Sequence, residues 1–105
     1  MTRYTVVFTP EAEAQLALLY RYIADAASPD IAARYTDSIV TYCEDLRSFP
    51  HRGTKQDDIR PGLRVTNFRK RAAIIFTVES EQVSIIGVFY GGQDYEAALR
   101  SGLDD

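Results

Sequence analysis

The sequence holds one cysteine, Cys43, and one histidine, His51. A lone thiol cannot close an internal disulfide, so packing alone must hold the chain together, and a reducing compartment suits it. A lone His with no Cys, Asp or second His at ligand spacing makes no metal site. The Asp57-Asp58 pair lacks a calcium-loop pattern. No metal and no cofactor are therefore expected. Uncharged apolar runs reach about five residues, against the roughly 18 or more that a membrane span requires. No apolar stretch follows Arg3, so no secretory signal and a cytoplasmic location are expected. Phosphate loops, dinucleotide fingerprints and triad spacings are missing, as are repeats and low-complexity segments.

What is present is an ordinary globular chain: 105 residues, 46% hydrophobic. That is enough for one core and too little for two, so residues 1–105 are expected to form a single domain. Net charge is −3, unevenly spread: residues 1–46 carry −4, residues 47–71 carry +6, and residues 72–105 carry −5. A basic island between two acidic flanks can mark an anionic partner. It can equally be a solvated loop whose arginines pair with acids elsewhere in the fold. Its densest part is Arg64, Arg69, Lys70 and Arg71, placed just before the uncharged run Ala72 to Phe76.

Periodicity divides the chain into elements. Tyr4, Val6 and Phe8 alternate with Thr5 and Val7, a strand signal. Thr9-Pro10-Glu11 then reads as a helix start, with a capping hydroxyl, a proline suited to the first helical position, and an acid at the positive helix end. Ala12, Leu16, Leu19, Ile23 and Ala27 form one apolar stripe. Ser28-Pro29-Asp30 repeats the start signal. A second stripe follows: Ala32, Tyr35, Ile39, Tyr42, Leu46 and Phe49, stopped by Pro50. Two striped helices with almost no linker form an antiparallel hairpin. Residues 50–62 read as a loop, since Pro50, Gly53, Pro61 and Gly62 punctuate it. Three β signals come next: Leu63 to Thr66, Ala72 to Glu79, and Gln82 to Tyr90. Ser80-Glu81 has tight-hairpin spacing without the favoured Asn-Gly. Strict alternation groups Val83, Ile85, Gly87 and Phe89 against Ser84, Ile86, Val88 and Tyr90. Both sets are largely apolar, so this strand is expected to be covered on both faces. Residues 94–100 are read as one or two further helical turns. The order β-α-α-β-β-β predicts an α+β fold, an antiparallel sheet with the helical hairpin packed on one face.

This order and several residues resemble the RelE/ParE toxin superfamily of bacterial toxin–antitoxin systems. The resemblance runs through Phe8, Pro10, Ala12, Leu16, Tyr20, Tyr22 and Ile23, then Pro29, Ala33, Tyr35, Ile39, Leu46, Pro50 and Gly53. It continues in Pro61-Gly62-Leu63-Arg64, in Phe76-Thr77-Val78, and in Val83, Ile85 and Val88 leading to Tyr90-Gly91 and Asp94. The ParE branch fits best. The resemblance implies a small cytoplasmic toxin neutralised by a cognate ParD-like antitoxin encoded nearby. It also implies a target: ParE-like members poison DNA gyrase by protein binding, whereas RelE-like members cut messenger RNA on the ribosome. A third reading is a non-toxic member that only binds antitoxin. Many members end the last strand with His, Gly and two arginines. Here Tyr90 stands at the His position, and Gly92 and Gln93 at the arginine positions.

Cutting RNA through its 2′-hydroxyl needs a base, an acid and cations on the phosphate. For that chemistry Arg64, Arg71 and Tyr90 are the candidate catalytic residues, within a set that also holds Arg69 and Lys70. Strand alternation places Arg69 and Arg71 on one side and Lys70 on the other, so they do not all converge. An unperturbed tyrosine near pKa ~10 is a poor base. Tyr90 is read as a half-buried aromatic closing the core. Arg64 is read either as recognition surface or as a structural ion pair with a helical acid. Ribosome binding demands a large cationic surface, which a chain of net −3 offers only locally. Direct nucleic-acid binding is accordingly disfavoured. The expected contact surface for target or antitoxin is Arg64, Arg69, Lys70, Arg71, Tyr90 and Asp94, with no catalytic residue. Cys43 beside the second stripe is read as a small core residue, because no local His supports it as a nucleophile.

Overall fold

The computed structural model describes residues 4–91. The helical turns expected over residues 94–100 lie outside the described residues. The elements are β1 (Thr5–Phe8), α1 (Pro10–Ala26), α2 (Pro29–Glu44), β2 (Thr54–Lys55), β3 (Leu63–Phe68), β4 (Ala72–Glu79) and β5 (Gln82–Tyr90), with a 3-10 turn at Asp45–Arg47 after α2. Both helices begin where their capping signals stand. The Ala12 N–H donates to Thr9 Oγ1 at 3.2 Å, and the Ile31 N–H to Ser28 Oγ at 3.1 Å. Each cap satisfies a helix-end donor that has no intrahelical partner, and Pro10 and Pro29 lack the donor altogether.

Among the described residues five strands form one sheet in the order β1-β5-β4-β3-β2. The α+β class and the helical hairpin on one face are as expected. The sheet itself is mixed: β1 pairs parallel with β5, and every other pairing is antiparallel. The chain reverses at each turn from β2 to β5, so the last strand runs the same way as the first. β2 is a two-residue strand inside the segment read as loop, paired Thr54 to Val65 and Lys55 to Arg64.

The main core lies between the helices and the sheet. Ala12, Leu19, Ile39, Cys43 and Leu46 meet Phe68, Ile74, Phe76, Val83, Ile85 and Val88. Burying each large apolar side chain here contributes about 1.5–3 kcal/mol. Phe49, the last member of the second stripe, is instead 61% exposed, because the helix has already tightened and ended before it. A smaller cluster covers the opposite face: Ile59, Leu63, Val65 and Ile75, with Ala73, Ile86 and Phe89 against it. So β5 is covered on both faces, as its composition predicts.

Its phase, however, is not a strict alternation. Ile75 pairs with Gly87 but Phe76 pairs with Ile85, which leaves Ile86 as an extra residue. This bulge reverses which residues face the helices. Val83 and Ile85 face them before it, and Val88 and Tyr90 after it. The freed Val88 N–H donates to Gln15 Oε1 of α1 at 2.6 Å. The bulge therefore carries Tyr90 onto the helical side of the sheet, against α1 and α2.

Candidate functional site

The expected cationic cluster divides into two parts. Arg64 opens β3, and Arg69, Lys70 and Arg71 follow its far end. Arg69 lies five residue steps beyond Arg64, roughly 16 Å at the usual rise per residue of a strand.

At the near end the guanidinium of Arg64 is engaged by its own chain. Nε donates to the Arg52 carbonyl at 3.0 Å, and Nη2 donates to the carbonyls of His51 and Gly53. Among the described residues no helical acid pairs with it, so of the two readings of Arg64 the ion pair is not what they show. The carbonyls converge because Gly53 holds φ +82°, and a Cβ there would lie 2.3 Å from the Val65 carbonyl oxygen. Only glycine allows that approach. Arg52, thus placed, lies 5.3 Å from the ring of Tyr42 and 5.5 Å from that of Phe49. Tyr42 Oη shares a 2.8 Å hydrogen bond with buried Thr66.

At the far end the cations are not on a strand. The Arg71 N–H donates to the Phe68 carbonyl at 3.1 Å, closing a turn whose central residues are Arg69 and Lys70. Both hold positive φ, 50° and 61°, as in a type I′ turn, where Asn-Gly is the relaxed solution. Strand alternation therefore does not govern them. All three turn cations are exposed. The Arg69 guanidinium lies 4.9 Å over the Phe68 ring. Among the described residues none of Arg69, Lys70 and Arg71 has a carboxylate partner.

Tyr90 sits beside this turn. It pairs with Ala72 across the sheet, and the next N–H, of Gly91, donates to the Arg71 carbonyl at 2.8 Å. Its half-buried ring packs on the core, the position read from the sequence. Tyr35 meets it edge-on at 5.7 Å, and Tyr22 lies 6.2 Å away. Tyr35 in turn meets Phe68 at 5.6 Å, and Phe68 meets Tyr42 at 5.5 Å. One chain of rings thus links α1, α2 and the sheet. Such edge contacts each add about 0.5–1.5 kcal/mol beyond burial. Burial, then the neighbouring Tyr90, push the Tyr35 pKa up, while Arg69 and Arg71 pull it down. The net rise keeps the phenol protonated at neutral pH. The sequence placed Tyr35 in the core stripe but held no signal of its contact with the turn.

The other candidates are inert. Burial pushes the Cys43 thiol up to about 12, so it does not ionise near neutrality and is no nucleophile. His51 packs its ring edge-on to Tyr4 at 6.3 Å. Among the described residues no group of three or more His, Cys, Asp or Glu could hold a metal ion. Likewise no helix there is long and apolar enough to cross a membrane. Asp94, Gly92 and Gln93 lie outside the described residues.

Two open grooves flank the ring chain. One, of about 450 Å³, runs between α1 and β5 and is lined by Leu18, Leu19, Tyr22, Val88 and Tyr90. Leu18 and Tyr22 are each 62% exposed. The second lies between α2 and the β3–β4 turn. Such apolar surface on a small domain is what a partner covers.

The family model described as "ParE toxin of type II toxin-antitoxin system, parDE" matches residues 6–95. A solved structure titled "Chromosomal ParDE TA system from P. aeruginosa" contains a chain with TM-score 0.74 and 19% identity, covering 85% of this chain and 97% of that one. At that identity the likeness speaks for the fold. A search of curated proteins returns no match.

Proposed function

Because the chain belongs to the family of ParE toxins of type II toxin–antitoxin systems, we propose that it inhibits DNA gyrase by protein binding and is neutralised by a cognate ParD-like antitoxin. The carrying observation is the division of the cationic set. A ribonuclease centre needs a base, an acid and phosphate-binding cations within reach of one reacting group. Here Arg64 is held by backbone carbonyls at one end of β3, while the Arg69–Arg71 turn beside Tyr90 lies at the other. Tyr90 contributes a half-buried ring, and Tyr35 beside it is held protonated. What remains is recognition surface: turn cations with no carboxylate partner among the described residues, and an exposed apolar strip on α1.

The antitoxin reading follows the same surface. An amphipathic or extended segment can lie in the α1–β5 groove or add to an edge of the sheet, where β1 and β2 are the outer strands. The protein acts in the cytoplasm, where gyrase is. Induced expression should block supercoiling or cause double-strand breaks while messenger RNA stays intact. Rapid codon-positioned cleavage of mRNA with gyrase unaffected would instead establish the RelE-like nuclease. Co-expression with the adjacent reading frame should give a tight complex. A well-behaved monomer that never copurifies with that product would remove the antitoxin half of the proposal.

A further inference from the structure

The outward face of α1 is uncovered. Glu11, Ala14, Leu18, Tyr22 and Asp25 recur along it at steps of three and four, with Arg21 beside them, and all six are exposed. The opposite face, with Ala12, Leu16, Leu19 and Ile23, lies against the core. Leu18 and Tyr22 are the most exposed large apolar side chains among the described residues. Neither Glu11 nor Arg21 has an ion-pair partner among those residues.

This face is complementary to its own reverse. Ala14 and Leu18 are a small and a large side chain, and Glu11 and Arg21 are an acid and a base. Both pairs are centred on the level of Leu16. A two-fold axis across the helix at that level lays Leu18 over the Ala14 of a second copy and sets Arg21 beside its Glu11. Each contact then occurs twice, as a closed two-fold dimer requires. The small Ala14 lets the helices approach, and Leu18 fills the space it leaves. Asp25 overhangs the start of the other α1, the positive end of that helix. An axis at the level of Leu18 loses this match, because it sets Glu11 against Asp25, acid on acid.

We propose that α1 is the interface of an antiparallel homodimer, in which Leu18 of each copy seats on Ala14 of the other and Arg21 pairs with Glu11. The charge of the helix favours a second copy over a nucleic acid or an anionic membrane: Glu11, Glu13 and Asp25 leave it acidic, with Arg21 its one cation. Leu18 and Tyr22 also line the α1–β5 groove. The dimer therefore covers one wall of that groove and withdraws it from other partners. The inference goes beyond the toxin–antitoxin reading and does not depend on the target.

Sedimentation velocity of the intact chain over a concentration series should show a monomer–dimer equilibrium. Arg21→Glu sets like charges against each other twice and should weaken the dimer about tenfold. Glu11→Arg should do the same, and the two substitutions together should restore the dimer by exchanging the charges. Circular dichroism checks that each variant is folded. Cysteine cross-linking reads the register without relying on charge. Ala14→Cys mixed with Leu18→Cys should give a disulfide-linked dimer on oxidation, since opposed positions bring Cβ atoms to the about 3.5–4.5 Å that the bond needs. Neither variant should cross-link alone, because each lies about 6 Å along the helix axis from its own counterpart. The native Cys43 is buried and does not compete. A monomer at every concentration, a dimer indifferent to the charge changes, a folded double variant that fails to recover, or absence of the mixed cross-link overturns the proposal.

Discussion

The two ends of β3 carry the same kind of residue and use it in opposite ways. At the Leu63 end, Arg64 turns inward along the chain and ties three carbonyls of the loop after α2. At the Phe68 end, Arg69, Lys70 and Arg71 sit on a turn with no carboxylate partner among the described residues. A guanidinium has five donors and no acceptor. Where backbone carbonyls converge on it, it becomes part of the fold. Where none do, its charge stays available to another molecule. Position along one strand, not residue type, separates an arginine tied into the fold from arginines left exposed on a turn.

The sharpest way to break this comparison is Arg64→Ala. Hydrogen bonds from a charged donor contribute about 1.5–3 kcal/mol each at most, and partial exposure reduces them. A loss of about 2 kcal/mol is expected, read as a lower urea midpoint at unchanged slope. Toxicity should fall with the folded fraction. An unchanged midpoint would mean that Arg64 is surface after all.

Tyr42→Phe tests the same structural end more gently. It removes the 2.8 Å bond to Thr66, a buried hydroxyl. The expected cost is about 1 kcal/mol, measured by thermal or urea unfolding. Removing both partners at once, with Thr66→Val added, should recover part of it, since no buried hydroxyl is then left unsatisfied.

At the exposed turn, Arg69→Ala and Arg71→Ala should each shift stability by no more than about 0.5 kcal/mol. Toxicity should drop in graded steps, because exposed charges mostly tune association. Abolition of toxicity by a single folded variant would point to chemistry, where losing a positioned acid or base costs ~10²–10⁴ in rate. The smallest expected effect is that of Tyr90→Phe on toxicity. Its ring, packed among Tyr22 and Tyr35, is retained, so most toxicity should persist. A folded Tyr90→Phe protein without toxicity promotes the nuclease.

The sequence by itself determined what depends on near neighbours. Thr9-Pro10 and Ser28-Pro29 mark both helix starts, because caps and proline geometry act within one turn. The stripes from Ala12 to Ile23 and from Ala32 to Leu46 name the buried side of the hairpin, and the uncharged run in β4 is core. Ser80-Glu81 is the two-residue hairpin its spacing predicts. Tyr90 as a half-buried ring was also legible, from composition alone. The tertiary structure alone decided the rest. The parallel pairing of β1 with β5 joins the two ends of the described chain. The bulge at Ile86 shifts the phase of β5, and the Val88 N–H just beyond it donates to Gln15, 73 positions away. Phe49 falls outside the core because α2 ends early, and Arg64 finds carbonyls that converge only once Gly53 has folded back onto β3. Each of these rests on contacts between residues far apart in the chain, and a linear pattern records only periodicity along it. The same reason explains the cations: four charges close in sequence looked like one cluster, and the length of one strand made them two.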